Sequence, residues 1–207
     1  MKERHSCRKF QSKPIPEEVL KDIISISLAA PSWCNSQPWN IYVVSGKTME
    51  EIRKEWIAKG EANIKGYADL NPGHRTDFSE RSQATMAKFY KVWDDDFPPK
   101  DAAECNPHIF NAPTMVYLTL PKGHTKYSIL DLGGLEMSIM LAAKDHGVDS
   151  IPAYTTIMYP DVLRKYLKIS DKEDIVIGIA LGYEEKCKIN EHRSVKLTLD
   201  EACKFFN

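Results

Sequence analysis

Arg4-His5-Ser6-Cys7-Arg8-Lys9-Phe10 and, after one apolar helical segment, Ala30-Pro31-Ser32-Trp33-Cys34-Asn35-Ser36-Gln37-Pro38-Trp39 are the two stretches on which the reading of this chain turns. The start of a chain is usually a loose tail. Here cations and a hydroxyl alternate along it instead. Side chains of an extended segment alternate in direction, so Arg4, Ser6 and Arg8 share one side. Two guanidinium forks and a neutral donor suit a phosphate. The same heptad also reads as a solvated basic tail. In the second stretch prolines fix both ends, and Asn35 and Gln37 carry amides that serve both edges of a heterocycle. Its two indoles offer flat contact area. The competing reading is a rigid helix-to-strand turn with one core tryptophan. A third cluster, Asn190-Glu191-His192-Arg193-Ser194-Val195-Lys196, again gathers cations and a hydroxyl, and alone it also reads as a charged loop.

Composition narrows the class. A length of 207 residues predicts a single domain spanning 1–207. A helical excursion of different character occupies about residues 60–110. The formal net charge of -1 lacks the basic excess of a dedicated nucleic-acid binder. No apolar run reaches the length of a membrane span. The charged N-terminus has no signal-peptide core, so the expected compartment is the cytosol. The 5 cysteines are irregularly spaced and predict reduced thiols rather than a disulfide framework. No histidine pair has metal-ligand spacing, and neither a P-loop nor a G-x-G-x-x-G fingerprint is present, so no metal site is expected. Cys34 is a formal candidate nucleophile with His5 or His146 as base. No local signature supports it, and free cysteine is commonly a small core residue.

Periodicity predicts an α+β chain. Pro14-Ile15-Pro16-Glu17-Glu18 starts a helix that Pro31 ends. Ile41–Val44 reads as a short strand closed by Gly46. Thr48–Lys59 reads as a helix with Met49, Ile52 and Trp56 on its apolar face. Asn71-Pro72-Gly73 is a turn signal. Phe78–Trp93 reads as a helix with Met86, Phe89, Tyr90 and Trp93 on one face, broken at Asp94-Asp95-Asp96-Phe97-Pro98-Pro99. Thr114–Leu120 is a buried strand, and Tyr127–His146 is a long helix stopped at Gly147. The Gly133-Gly134 pair costs helix propensity, which points to close approach of a backbone or a flat ligand. Pro160 opens a short helix, Ile175–Gly182 is a central strand, and Thr198-Leu199-Asp200-Glu201 is a capping box.

In this order the motifs resemble the FMN-dependent nitroreductase family. The resemblance rests on Arg4–Phe10, Pro14-Ile15-Pro16, and Ala29-Ala30-Pro31-Ser32 with Asn35, Gln37, Pro38 and Trp39. It continues through Asp131-Leu132-Gly133, the Ile177–Tyr183 strand and the late basic pair. It implies a three-layer fold with a small mixed sheet flanked by helices, assembled as an intertwined homodimer with FMN at the subunit interface. It further implies that Arg4 and Ser6, beside His5, hold the FMN phosphate with Arg193 and Lys196. Arg8 would face the flavin pyrimidine, where a cation favours the anionic reduced form. Pro31, Ser32, Trp33, Asn35 and Gln37 would reach across from the partner subunit. Pro152, Ala153 and Tyr154 would pass N5 and offer a backbone N–H. Arg81 and Ser82 are further candidates for flavin contact. Trp33 and Cys34 stand where the family more often has small residues, which narrows that part of the pocket. Lys196 stands where arginine is common and lacks the bidentate fork.

The implied activity is ping-pong transfer of reducing equivalents from NADH or NADPH to a nitroaromatic, quinone or similar flat electrophile. The flavin, rather than a catalytic side chain, carries the chemistry. Competing readings are a flavin-binding module without turnover, another flavin reaction such as reductive dehalogenation or flavin breakdown, and a Cys34 thiol enzyme.

Overall fold

The computed structural model describes the backbone of residues 1–96 and 105–206 and the side chains of 1–93 and 105–206. In chain order its elements are α1 (Glu17–Ser27), β1 (Asn40–Ser45), α2 (Gly46–Glu61), α3 (Glu80–Asp96), β2 (Thr114–Pro121) and α4 (Lys126–Asp145). These are followed by β3 (Asp149–Pro152), α5 (Pro160–Leu167), β4 (Glu173–Gly182), α6 (Lys188–Glu191) and α7 (Leu199–Ala202). No helix among the described residues is long and apolar enough to cross a membrane.

The strands form one sheet in the order β1-β2-β4-β3. All three pairings are antiparallel, so the sheet is not the mixed one expected; among the described residues the parallel component is an isolated Ser6–Ser150 bridge, because the N-terminal segment pairs with β3 at one point only. The apolar run Thr114–Leu120 takes the centre because both its faces are covered. Met115 and Tyr117 pack on one face against Met49, Ile52 and Trp56 of α2 and Val162 and Leu163 of α5. Val116, Leu118 and Leu120 pack on the other face against Leu20 and Ile23 of α1 and Leu132, Leu135 and Ile139 of α4. Helices on both faces of a small sheet give the expected three-layer α+β arrangement. Each fully buried large side chain here stabilises the fold by about 2 kcal/mol.

Helix ends follow local chemistry. Thr125 caps α4 by accepting the Ser128 N–H, and Thr198 and Glu201 form the anticipated capping box of α7. The first helix stops at Ser27, ahead of Pro31, and the Ser27 hydroxyl donates back to the Ile23 carbonyl. Within the excursion, Gly73 turns the chain at φ +80. Helix α3 begins at Glu80, two residues after the predicted Phe78. Of the predicted breaker, Asp94, Asp95 and Asp96 instead continue the helix to its end, and Phe97-Pro98-Pro99 lie outside the described residues. Strand β3 has no signal of its own in the sequence and exists through its pairing with β4.

The Gly133-Gly134 pair does not meet a neighbour within the chain: a Cβ at either would contact nothing within 4 Å. Around it α4 exposes Tyr127, Ile129, Leu130 and Met137, with Leu130 68% exposed.

The two chain ends are stitched together. Cys7 donates its N–H to the Ser150 carbonyl at 3.0 Å, Gln11 to Tyr183 at 2.8 Å, and Glu185 to Lys9 at 3.1 Å. Asn190, almost fully buried, closes the seam with both edges of its amide. Its Oδ1 accepts the Arg8 and Lys9 N–H groups at 2.7 and 3.2 Å, and its Nδ2 donates to the Lys9 and Glu185 carbonyls at 2.8 Å each. Sequence reading placed Asn190 in a charged loop and missed this role. Gly178 serves a different closeness: a Cβ there would sit 2.2 Å from Thr156 Oγ1, so the turn after β3 rests directly on β4.

Asn190→Ala leaves several of these backbone groups unsatisfied and is expected to cost about 3 kcal/mol, read as a fall in the thermal midpoint of roughly 6–12 °C. Gly178→Ala is expected to destabilise by about 1–3 kcal/mol in denaturant titration, because Thr156 is buried and cannot yield without moving its turn.

Candidate active site

The N-terminal segment alternates as the sequence predicts. His5, Cys7 and Phe10 turn inward and are buried, while Arg4, Ser6 and Arg8 are half-buried on the other side. Burial raises the Cys7 thiol to about 12, so it is an inert core group. His5 donates from Nδ1 to the Glu3 carbonyl at 3.2 Å, and its Nε2 lies 3.1 Å from a Glu184 carboxylate oxygen. Asp149 completes the knot: it pairs with Lys144 at 2.7 Å and accepts the Glu184 N–H at 3.3 Å. The ring of His5, expected beside the cofactor, is thereby turned into a clamp on the opposite side of the segment.

Arg8 is the charged member of a cavity of about 300 Å³. Its guanidinium donates to the Ser6 carbonyl at 3.1 Å and lies 4.6 Å from the centre of the Trp93 ring. No carboxylate pairs with it among the described residues. Burial, reinforced by the like charge of Arg193, lowers its pKa. The opposite wall is Pro152, Ala153, Tyr154 and Thr155. The Ala153 N–H donates to the Gly178 carbonyl at 2.8 Å, so it is already used. Tyr154 opens the 3₁₀ turn Tyr154–Ile157, where the first amide has no acceptor within its own turn. The Thr155 hydroxyl is buried and finds no hydrogen-bond partner among the described residues. Phe89 and Trp93 of α3 close the cavity from above, stacked on one another at 6.1 Å. Their helical spacing is legible in the sequence; that they cover Arg8 is not.

The remaining predicted residues distribute differently. Arg4 acts electrostatically on Glu136 of α4, whose carboxyl pKa burial raises while Arg4 pulls it down. Arg193 is held near Arg8 by donating to the carbonyls of Asn190 and His192 at 2.7 and 2.9 Å. Lys196, Arg81 and Ser82 do not line the cavity beside Arg8. They line a neighbouring one of about 890 Å³.

None of residues 31–37 lines the Arg8 cavity. Pro31, Trp33, Asn35 and Gln37 are exposed, and Ser32 is half-buried. Cys34, Asn35 and Gln37 adopt left-handed conformations, at φ 47, 57 and 42. The loop is pinned by Asp131, which accepts the Trp33 N–H at 2.9 Å, and by the Ser32 hydroxyl, which accepts the Gln37 N–H at 2.9 Å. Trp33 rests on Tyr127 at 4.9 Å between ring centres and remains 60% exposed. Cys34 is exposed and belongs to this surface rather than to the core.

Residues 1–183 match the model of the Nitroreductase family. The chain is 28% identical over 196 residues to a 4-nitrobenzoate reductase of Pseudomonas putida, covering 92% of this chain and 86% of that protein. It is 28% identical to a nitrobenzene nitroreductase of Ectopseudomonas oleovorans, covering 99% and 94%. Its fold superposes on an FMN-dependent nitroreductase from Mycobacterium smegmatis in complex with NADPH. The TM-score is 0.88 at 24% identity, covering 99% of this chain and 95% of that one. The match from the first residue through the end of β4, joined to the three-layer fold, assigns this chain to the nitroreductase family.

Proposed function

We propose that this chain is an FMN-dependent oxidoreductase that passes reducing equivalents from NAD(P)H to a nitroaromatic, quinone or similar flat electrophile. The observation that carries the reading is Arg8, a desolvated guanidinium without a carboxylate partner, facing the wall Pro152–Thr155. The residues fit the cofactor: a cation for the pyrimidine edge, the first amide of the Tyr154 turn for N5, and an unpartnered Thr155 hydroxyl for a heterocyclic polar atom. Bound FMN supplies the hydride and electron chemistry.

The chain's own residues position and polarise. Arg8 offers fixed positive charge where negative charge develops, in a water-poor setting that strengthens it. Asn190 holds the Arg8 backbone, so the charge is preorganised rather than recruited. Phe89 and Trp93 exclude water from one side. Ser6 and Arg193 lie on the same stretch of surface as Arg8 and suit the phosphate, with Arg4 further along the segment. Lys196 sits one cavity away and is the weakest member of the expected set.

The open face of α4 supports a homodimer. Tyr127, Leu130 and Met137 surround a glycine pair with nothing against it. A second copy seated there brings the Pro31–Gln37 loop, which Asp131 of the same helix pins, to its partner. In this reading Pro31, Ser32, Trp33, Asn35 and Gln37 complete the other subunit's flavin site.

The purified protein is expected to show flavin absorption that bleaches anaerobically with NADH or NADPH and returns on adding 4-nitrobenzoate. A colourless protein that takes up no added FMN overturns the reading. Arg8→Ala is expected to weaken FMN binding about 10-fold or more and to lower the flavin midpoint potential, measured by fluorescence titration and dye-equilibrated reduction. Leu130→Glu places a charge in the proposed interface and is expected to shift the sedimentation coefficient to that of a monomer with loss of bound flavin.

A further inference from the structure

The cavity of about 890 Å³ toward the N-terminal end of α3 is not used by the reading above. Arg75, Arg81 and Lys196 line it, together with the hydroxyls of Ser79, Ser82 and Ser194. None of the three cations forms a salt bridge among the described residues. The nearby Glu201 carboxylate is taken up by the Thr198 cap, and Arg81 donates to the Glu201 main-chain carbonyl at 2.6 Å. In a chain of net charge -1, such a one-sign, hydroxyl-rich concavity is a local concentration of positive potential. Arginine forks flanked by hydroxyls match a phosphate monoester better than a lone carboxylate.

Two sources carry that chemistry: the phosphate of FMN and the 2′-phosphate that distinguishes NADPH from NADH. The geometry favours the second. Phe89 and Tyr90 line both this cavity and the one beside Arg8, so a single ligand can span the two along α3. Arg81 and Phe89 are eight residues apart on that helix, about 12 Å along its axis. That separation suits the distant end of a dinucleotide whose nicotinamide lies over the flavin. The Arg75 guanidinium stacks 3.8 Å from the centre of the Tyr90 ring, which holds its fork at the junction of the two cavities. Phe78, 42% exposed in the same wall, offers flat apolar surface for the adenine.

We propose that Arg75 and Arg81, aided by the hydroxyls of Ser79 and Ser82, take the 2′-phosphate of NADPH and so make NADPH the preferred donor. The inference rests on the oxidoreductase reading and adds the choice of donor to it. The step served is hydride transfer from the nicotinamide C4 of NADPH to oxidised flavin, giving NADP⁺ and the reduced flavin anion.

The test compares the wild-type holoprotein with the Arg75→Ala/Arg81→Ala double variant and its Lys/Lys counterpart. Both arginines are exposed, so thermal melting serves as the folding control. Calorimetric titration with NADP⁺ and with NAD⁺ gives a readout independent of turnover. Wild type is expected to bind NADP⁺ about 10–100-fold more tightly than NAD⁺, the range of one or two charge-assisted contacts. It is expected to show the same preference in kcat/KM. The Ala/Ala variant is expected to lose that ratio by lowering the NADPH values alone, with FMN content unchanged, and the Lys/Lys variant to restore part of it.

Equal losses with both donors, no preference in wild type, or loss of FMN from the Ala/Ala variant overturns the proposal; the last identifies the phosphate as that of FMN. A wild type that holds no flavin and oxidises neither nucleotide sinks the oxidoreductase reading instead. In that event the NADP⁺ against NAD⁺ titration still decides the phosphate site.

Discussion

The seam between the two ends of the chain is the constraint on which the site depends. Residues 4–11 are no tail: they run beside the ends of β3 and β4 and are fixed there by backbone bonds and by the single amide of Asn190. A buried amide that uses both edges leaves no orphaned donor or acceptor and tolerates no shift of its partners. Cys7 and Phe10 fill the core on one side of the seam, and Gly182 lets Phe10 approach where a Cβ would stand 2.7 Å from its ring. The His5–Glu184 pair ties the same segment to the end of β4, and the Lys144–Asp149 pair ties the end of α4 to the start of β3 beside it. Arg8 then has one position available, set from its backbone outward.

That position is costly without a ligand. Burial and the nearby Arg193 both disfavour the Arg8 cation, and its compensation is a carbonyl and the face of Trp93 rather than a carboxylate. An arrangement of this kind favours an incoming group that can accept negative charge. The wall opposite is built to similar effect. Gly178 lets the 154–157 turn settle on β4, the Ala153 amide is used to hold that turn, and the Thr155 hydroxyl is buried without a partner among the described residues.

Helix α3 lines two cavities of different chemistry: an aromatic one with a single desolvated arginine, and an open cationic one lined with hydroxyls. The same helix supplies aromatic walls to both because Phe89 and Tyr90 are adjacent and point to neighbouring faces.

The sequence by itself determined the elements and much of the cofactor chemistry. The uninterrupted apolar runs of β2 and β4 mark central strands. The spacing of Met49, Ile52 and Trp56 marks the buried face of α2, and the alternation of Arg4, Ser6 and Arg8 marks one side of an extended segment. These signals are local, since period and capping are properties of neighbouring residues. Tertiary structure alone decided which residues meet. Strand β3 exists because β4 offers it an edge, and Asn190 reads as a polar loop residue until the N-terminal segment lies against it. Lys196 lines the cavity beside Arg81, whereas Arg193, three residues away, lies near Arg8. The glycine pair of α4 and the Trp33 loop lie open on one surface. Such contacts depend on chain closure over long sequence separations, where the spacing of residues along the chain carries no information about their distance in space.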